Sequence, residues 1–158
     1  VSPSRRDIEN PVTGERIVFL RTAEETDGAL LEMDDFWARA DHRTPEHIHP
    51  AMEERWEVVA ASVRFEIGGV AQTVEAGETV VAPAGAPHTA RNVGERPAQL
   101  RIQMRPALRW QEFVERLFAL TASSDSNLQG RPGPDSLATL MQEFSREITP
   151  SPDSTDAP

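Results

Sequence analysis

Three of the four histidines lie in two short stretches of this chain. The first reads His47-Ile48-His49-Pro50-Ala51-Met52-Glu53-Glu54, and the second runs from Gly77 to His88 and on to Asn92. Side chains alternate faces along an extended strand, so His47 and His49 project the same way. Two imidazoles on one face, a carboxylate a few residues later and a third imidazole on another strand can converge on one divalent ion. Imidazole suits Fe, Ni, Cu and Zn, and a carboxylate also admits Mn, so the donor types name no single metal. The competing reading is a chance cluster of surface histidines, which is weak in a chain that has only four.

What the chain lacks narrows the chemistry further. Cys and Tyr are absent, and every one of the 16 basic residues is Arg. A thiolate nucleophile, an iron–sulfur cluster, a Schiff-base lysine and a phenolic acid are therefore excluded. His, Asp, Glu, Arg, Ser, Thr and a bound metal remain. The net charge of −10 argues against nucleic acid or an anionic membrane as partner. No apolar run reaches membrane-spanning length and no signal segment is visible, so the expected location is cytoplasmic. The 158 residues suit one domain with a sizeable core.

The elements that must position these groups are mostly short strands. Residues 1–14 read as a loose, polar N-terminal arm. Residues 15–22 form a strand candidate, with Thr26-Asp27-Gly28 as the turn into its hairpin partner at 29–36. Residues 55–67 read as two strands with a break near Ala60-Ala61-Ser62. Gly68-Gly69 turns into Val70–Val74, and Thr79-Val80-Val81 is a short buried run. Leu100, Ile102 and Met104 alternate with Arg101, Gln103 and Arg105 in a half-buried strand. From Leu108 the apolar period becomes helical, which predicts a helix over 107–121. A second helix, capped by Asp135, would carry Leu137, Leu140, Met141, Phe144 and Ile148 on its apolar face. The expected fold is all-β with C-terminal helices: a barrel over 15–106, a helical extension over 107–148 and a disordered tail over 149–158.

The two histidine stretches together resemble the motifs of the cupin superfamily. Gly77, Pro83, Gly85, His88 and Asn92 match every fixed position of its second motif. The first motif keeps His47, His49 and a Glu, but has Asp41 and Ala61 where the family has turn glycines. The resemblance spans about residues 40–105 and implies a jelly-roll barrel closed around a pocket. By the family's register it implies Glu54, not Glu53, as the acidic ligand, giving a metal set of His47, His49, Glu54 and His88 around one divalent transition ion. Glu54 would double as a catalytic base.

Trp56 and Val58 share the parity of Glu54 and would line the pocket. Phe65 and Ile67 would join them by apolar alternation, with Ile102 and Met104 as a back wall. Such an apolar cavity around an ion is the usual make-up of a small-molecule site, although the same residues would be core in any case. His42 is the spare histidine: either a general base at the barrel mouth or an ordinary exposed loop residue. Arg101 and Arg105 would face outward if Met104 faces in.

For function, the resemblance implies a metal-dependent enzyme acting on a small organic molecule, with a quercetinase-like dioxygenase as the first reading. The rivals are a non-redox isomerase, cyclase or decarboxylase of aromatic or polyketide-like substrates, and a non-catalytic small-molecule binder. The apolar helices and a first hairpin apolar on both faces predict a homodimer.

Overall fold

A computed structural model describes residues 6–122 and 126–152. The chain first forms an antiparallel meander of β1 (Arg6–Glu9), β2 (Arg16–Arg21) and β3 (Leu31–Trp37). The short β4 (His47–Ile48) follows, then β5 (Glu53–Ala60), β6 (Ser62–Ile67), β7 (Val70–Glu75), β8 (Thr79–Ala82), β9 (His88–Asn92) and β10 (Ala98–Arg105). Helices α1 (Trp110–Leu120) and α2 (Pro134–Glu143) precede a two-residue strand, β11 (Thr149–Pro150). One sheet has the order β1-β2-β3-β10-β5-β8 and the other β11-β4-β9-β6-β7. This is a two-sheet jelly roll with two C-terminal helices.

Strict alternation builds the core. On β5, Glu54, Trp56 and Val58 are buried while Arg55 and Glu57 are exposed. On β10, Ala98, Leu100, Ile102 and Met104 are buried. Leu31, Met33 and Trp37 of β3 and Val63 and Phe65 of β6 join them in one apolar cluster. Arg101 faces outward and holds Asp34 through two hydrogen bonds of 2.9 and 3.1 Å, so it does not reach the interior. Gly68 and Gly69 both have positive φ, which makes the two-residue β6–β7 turn possible.

Four expectations are corrected. Residues 6–9, assigned to a loose arm, form β1 and pair with β2. With Ile8 as its one apolar residue, this strand shows no alternation to read, and backbone hydrogen bonding to a sheet edge holds it. Residues 149–150, assigned to a disordered tail, pair with β4 as β11; residues 1–5 and 153–158 lie outside the described residues. Helix α1 begins at Trp110 rather than 107, after Leu108 adopts a φ of 42°. Helix α2 has no side-chain cap: Gly133 precedes Pro134, and Asp135 lies in the first turn. It ends at Glu143, and Ile148 is buried beyond it rather than on its face.

The apolar faces of the helices are covered within the chain. Trp110, Phe113, Val114, Phe118, Leu140 and Phe144 belong to the same buried cluster as the barrel strands. No helix among the described residues is long and apolar enough to cross a membrane.

Candidate metal centre

The two sheets bring the first-motif residues and His88 to one point. His47 on β4 pairs in register with His88 on β9, and Ile67 on β6 pairs with His88 from the other side. His49 lies one residue past β4, on the same face as His47. Glu54, the second residue of β5, lies between Met104 and Ala82. Donor atoms of His47, His49, Glu54 and His88 all lie within 4.8 Å of one another. His49, Glu54 and His88 are buried and His47 is half-buried. Glu53, the neighbouring candidate, is exposed.

All three rings present the same nitrogen to the centre. Nδ1 of His47 lies 2.8 Å from the Pro45 carbonyl, Nδ1 of His88 lies 3.0 Å from the Ala86 carbonyl, and Nδ1 of His49 lies 2.7 Å from the Glu147 carbonyl. A carbonyl only accepts, so each Nδ1 carries the proton and each Nε2 points inward. Tying one ring nitrogen to a backbone carbonyl is how proteins fix the tautomer of a ligating histidine. The second motif supplies the local frame. Gly77 and Gly85 have φ of 93° and 85°, a conformation open to glycine. The Gly85 amide donates to the His49 carbonyl at 2.9 Å. Asn92 donates to the carbonyls of Arg39 and Arg96 and accepts from the Gly94 amide, pinning the loop after β9.

The inward Nε2 atoms and the Glu54 carboxylate crowd together. Nε2 of His47 is 3.2 Å from Nε2 of His49, and Glu54 Oε2 is 2.9 Å from Nε2 of His49 and 3.1 Å from Nε2 of His88. Two donors at right angles, each about 2.1 Å from one ion, stand about 3.0 Å apart, so these separations fit one coordination sphere. Burial and the neighbouring His88 and His49 push the His47 imidazolium down to about 3, so that ring is neutral. Burial alone would raise the Glu54 carboxyl, but hydrogen bonds from His49 and His88 hold it well below the usual carboxylate range. The same carboxylate outweighs the effect of burial on His88 and raises its pKa. The centre is thus a nitrogen-rich pocket with one carboxylate, a donor set that fits a divalent cation.

The remaining candidates divide by position. The Trp56 ring meets His88 edge-on at 5.3 Å and tilts against Phe65 at 5.0 Å. Met104 flanks Glu54 and Ile67 flanks His88, the first fully buried and the second partly so. Ile102 pairs with Trp56, and Val58 and Phe65 are completely buried. His42 is not brought to the metal set. It is buried rather than at an open mouth, stacked on Trp37 at 4.4 Å, and burial lowers its pKa to about 4.

Three features near the interior had no place among the candidates. Trp110, at the start of α1, packs edge-on to His49 at 4.8 Å. Its helical spacing reads only as core. The Glu147 carbonyl lies 98 residues from His49, and no local pattern signals it. Asp35 was legible in principle. It is an acid at an inward position of β3, between Met33 and Trp37. Its Oδ2 accepts from Trp37 Nε1 at 2.9 Å, and its carboxyl faces Glu15.

Comparison with known proteins agrees with this geometry. A family profile described as "Cupin domain" matches residues 39–102. No curated protein matches the chain by sequence. A recombinant oxalate oxidase solved with glycolate is 26% identical with a TM-score of 0.51, over 60% of this chain and 52% of that one. The chain therefore spans about half the length of that relative. An RmlC-like cupin from Shewanella frigidimarina is 16% identical with a TM-score of 0.58, over 70% of this chain and 92% of that one. A cupin domain of an XRE-family transcriptional regulator from Enterobacter cloacae is 20% identical with a TM-score of 0.51, over 58% and 95%. Residues 39–102 thus match the cupin-domain profile, and the two-sheet jelly roll that surrounds the four converging side chains is similar to solved cupin structures.

Proposed function

We propose that this chain is a metal-dependent enzyme acting on small, oxygen-rich organic molecules. The observation that carries this reading is the common orientation of His47, His49 and His88, each with Nδ1 tied to a carbonyl and Nε2 turned toward Glu54. A divalent transition ion held there would supply Lewis acidity or a redox centre with positions open to a small ligand.

The chain's own residues supply the rest. Glu54 is anionic at neutral pH; released from its contacts with His49 and His88, which hold its basicity down, it would be the base that accepts the proton of an acidic enol, catechol or carboxylic acid. Trp56 and Trp110, both buried and edge-on to His88 and His49, would wall the site with apolar rings that suit an apolar, planar substrate. With Lys, Tyr and Cys absent, a proton relay through several side chains has few members available. Oxygen-dependent oxidation of the quercetinase kind is our first reading, and the likeness to an oxalate oxidase adds weight to oxygen chemistry. Non-redox isomerisation, cyclisation or decarboxylation on the same scaffold is the rival.

The test is a panel of flavonols, catechols, diketones, keto acids, oxalate and glycolate. Fe, Ni, Mn and Zn forms are assayed under air and under nitrogen. Turnover that needs oxygen supports the first reading, and turnover indifferent to oxygen supports the rival. Tight binding without turnover by any metal form replaces both with a small-molecule binder.

A further inference from the structure

The C-terminal segment does more than end the chain. After α2, Phe144 is fully buried, edge-on to Phe113 at 5.6 Å and beneath the Arg109 guanidinium at 4.4 Å. The amides of Glu147 and Ile148 return to the Phe144 carbonyl at 2.9 and 3.0 Å, closing a tight turn. Glu147 is 4% exposed although it is a carboxylate, and its Oε1 accepts from the Arg109 amide at 3.3 Å. Its backbone carbonyl is thereby aimed at Nδ1 of His49. The next two residues pair with the ligand strand itself, Thr149 with Ile48 and Pro150 with His47. Ser151 is buried and its hydroxyl donates to Glu46, the residue before His47. Strand β4 thus lies between β9 on one side and the C-terminal segment on the other.

One asymmetry decides what this means. His47 and His88 donate their outer hydrogen bonds to carbonyls two residues away, so those two rings are fixed by their own turns. The outer bond of His49 crosses 98 residues. Of the three imidazoles, only His49 owes its tautomer and tilt to a distant segment.

We infer that residues 144–151 form a strap belonging to the metal centre, and that strap docking and divalent-cation binding stabilise each other through the Glu147 carbonyl and His49. The inference rests on the reading that His47, His49, Glu54 and His88 hold a divalent ion. Outer partners of ligating histidines typically contribute about 10–100-fold to metal affinity. Coupling between two binding events is reciprocal, so the ion protects the strap by the factor with which the strap tightens the ion. Glu147 and Ser151 are positioning residues: they act on His49 and β4 and need not touch a substrate.

The experiment titrates the full chain with Zn(II) and with Co(II) by calorimetry, using a competing chelator where binding is tight. It then repeats the titration on a chain ending at Arg146 and on the single variants Glu147→Ala and Ser151→Ala. Truncation is expected to weaken binding by about 10–100-fold, and each single variant by a smaller factor. Glu147→Gln, which keeps an oxygen for the Arg109 amide, is expected to restore wild-type affinity. Independently, hydrogen exchange of the full chain at amides 147–149 and 151 is expected to slow on adding Zn(II). That readout requires no variant to fold. Equal affinities in full and truncated chains overturn the inference while leaving the metal reading intact. So does exchange that slows in β4 and β9 but not at 147–149 and 151. A full chain that binds neither ion overturns the metal reading and the strap with it.

Discussion

At the scale of single residues, two adjacent acids separate sharply. Glu54 is buried with its carboxylate against two histidines, and Glu53 points to solvent. Replacing Glu54 by Gln removes the one anion of the metal set. Metal affinity is expected to fall by more than the roughly 10–100-fold that an outer partner contributes, read as a loss of metal per chain at limiting supply, while Glu53→Gln leaves it unchanged. Equal losses at both positions would show that the register is wrong. Asp35 carries a different consequence. Burial raises its pKa to about 7, against the lowering effect of its contacts with Glu15 and Trp37, and Glu15 is also raised well above its ordinary value, by burial first and by Asp35 second. The folded chain then binds a proton that the unfolded chain releases above about pH 4. This stabilising contribution is whole below about pH 4 and is lost as the pH rises through about 7. Asp35→Asn keeps an acceptor for Trp37 and offers Glu15 an N–H in place of the shared proton. At pH 8 the variant is expected to melt above the parent chain, by roughly 2–4 °C for each kcal/mol gained, with a flatter stability profile from pH 5 to 8. A variant that melts lower at every pH counts against proton sharing.

At the scale of elements, the junction between β5 and β6 shows what a substituted glycine does. Ala61 stands where the related motif has a glycine, and its φ is 73°, in the left-handed region. An L residue there costs about 1–2 kcal/mol, part of which a glycine returns through its looser unfolded chain. Ala61→Gly is expected to raise stability by about 0.5–1 kcal/mol, read as a higher urea midpoint with an unchanged slope. A lower midpoint would mean that the Ala61 methyl packs usefully against the core. Asp41, at the other substituted glycine, has no such φ, so that loss costs the backbone nothing comparable.

At the scale of the whole molecule, the helices and barrel share one core, so the surplus apolar surface expected to drive association is largely covered within the chain. We retain the homodimer as a proposal on the remaining ground, the sheet edges. The edge strands β8 and β7 expose Val81 and Val70, at 40% and 66%. Exposed edges of this kind invite pairing with a second copy. Light scattering at micromolar concentration is expected to give twice the 17.5 kDa chain mass, and a monomer mass would end the proposal.

Much of this molecule was legible along the chain because the signals are local. Alternation over Glu54–Val58 and Leu100–Met104 marks strands, the helical period after Leu108 marks α1, and paired glycines mark the β6–β7 turn. The spacing of His47 and His49, with a second motif ending at His88 and Asn92, picks out the three histidines, since strand parity and turn geometry are properties of neighbouring residues; the choice of Glu54 over Glu53 came from the family resemblance. Where those signals are absent, only the tertiary structure decided. Strand β1 carries a single apolar residue and β11 contains a proline, and both exist because a sheet edge offers them backbone partners. The burial of His42 against Trp37, the facing of Glu15 and Asp35, and the grip of the Glu147 carbonyl on His49 each join residues from separate elements. Residue types and spacing along the chain prescribe which side chains can ligate, and local turns fix the nitrogen that His47 and His88 offer; for His49 the returning C-terminal segment, brought back by the tertiary fold, fixes it.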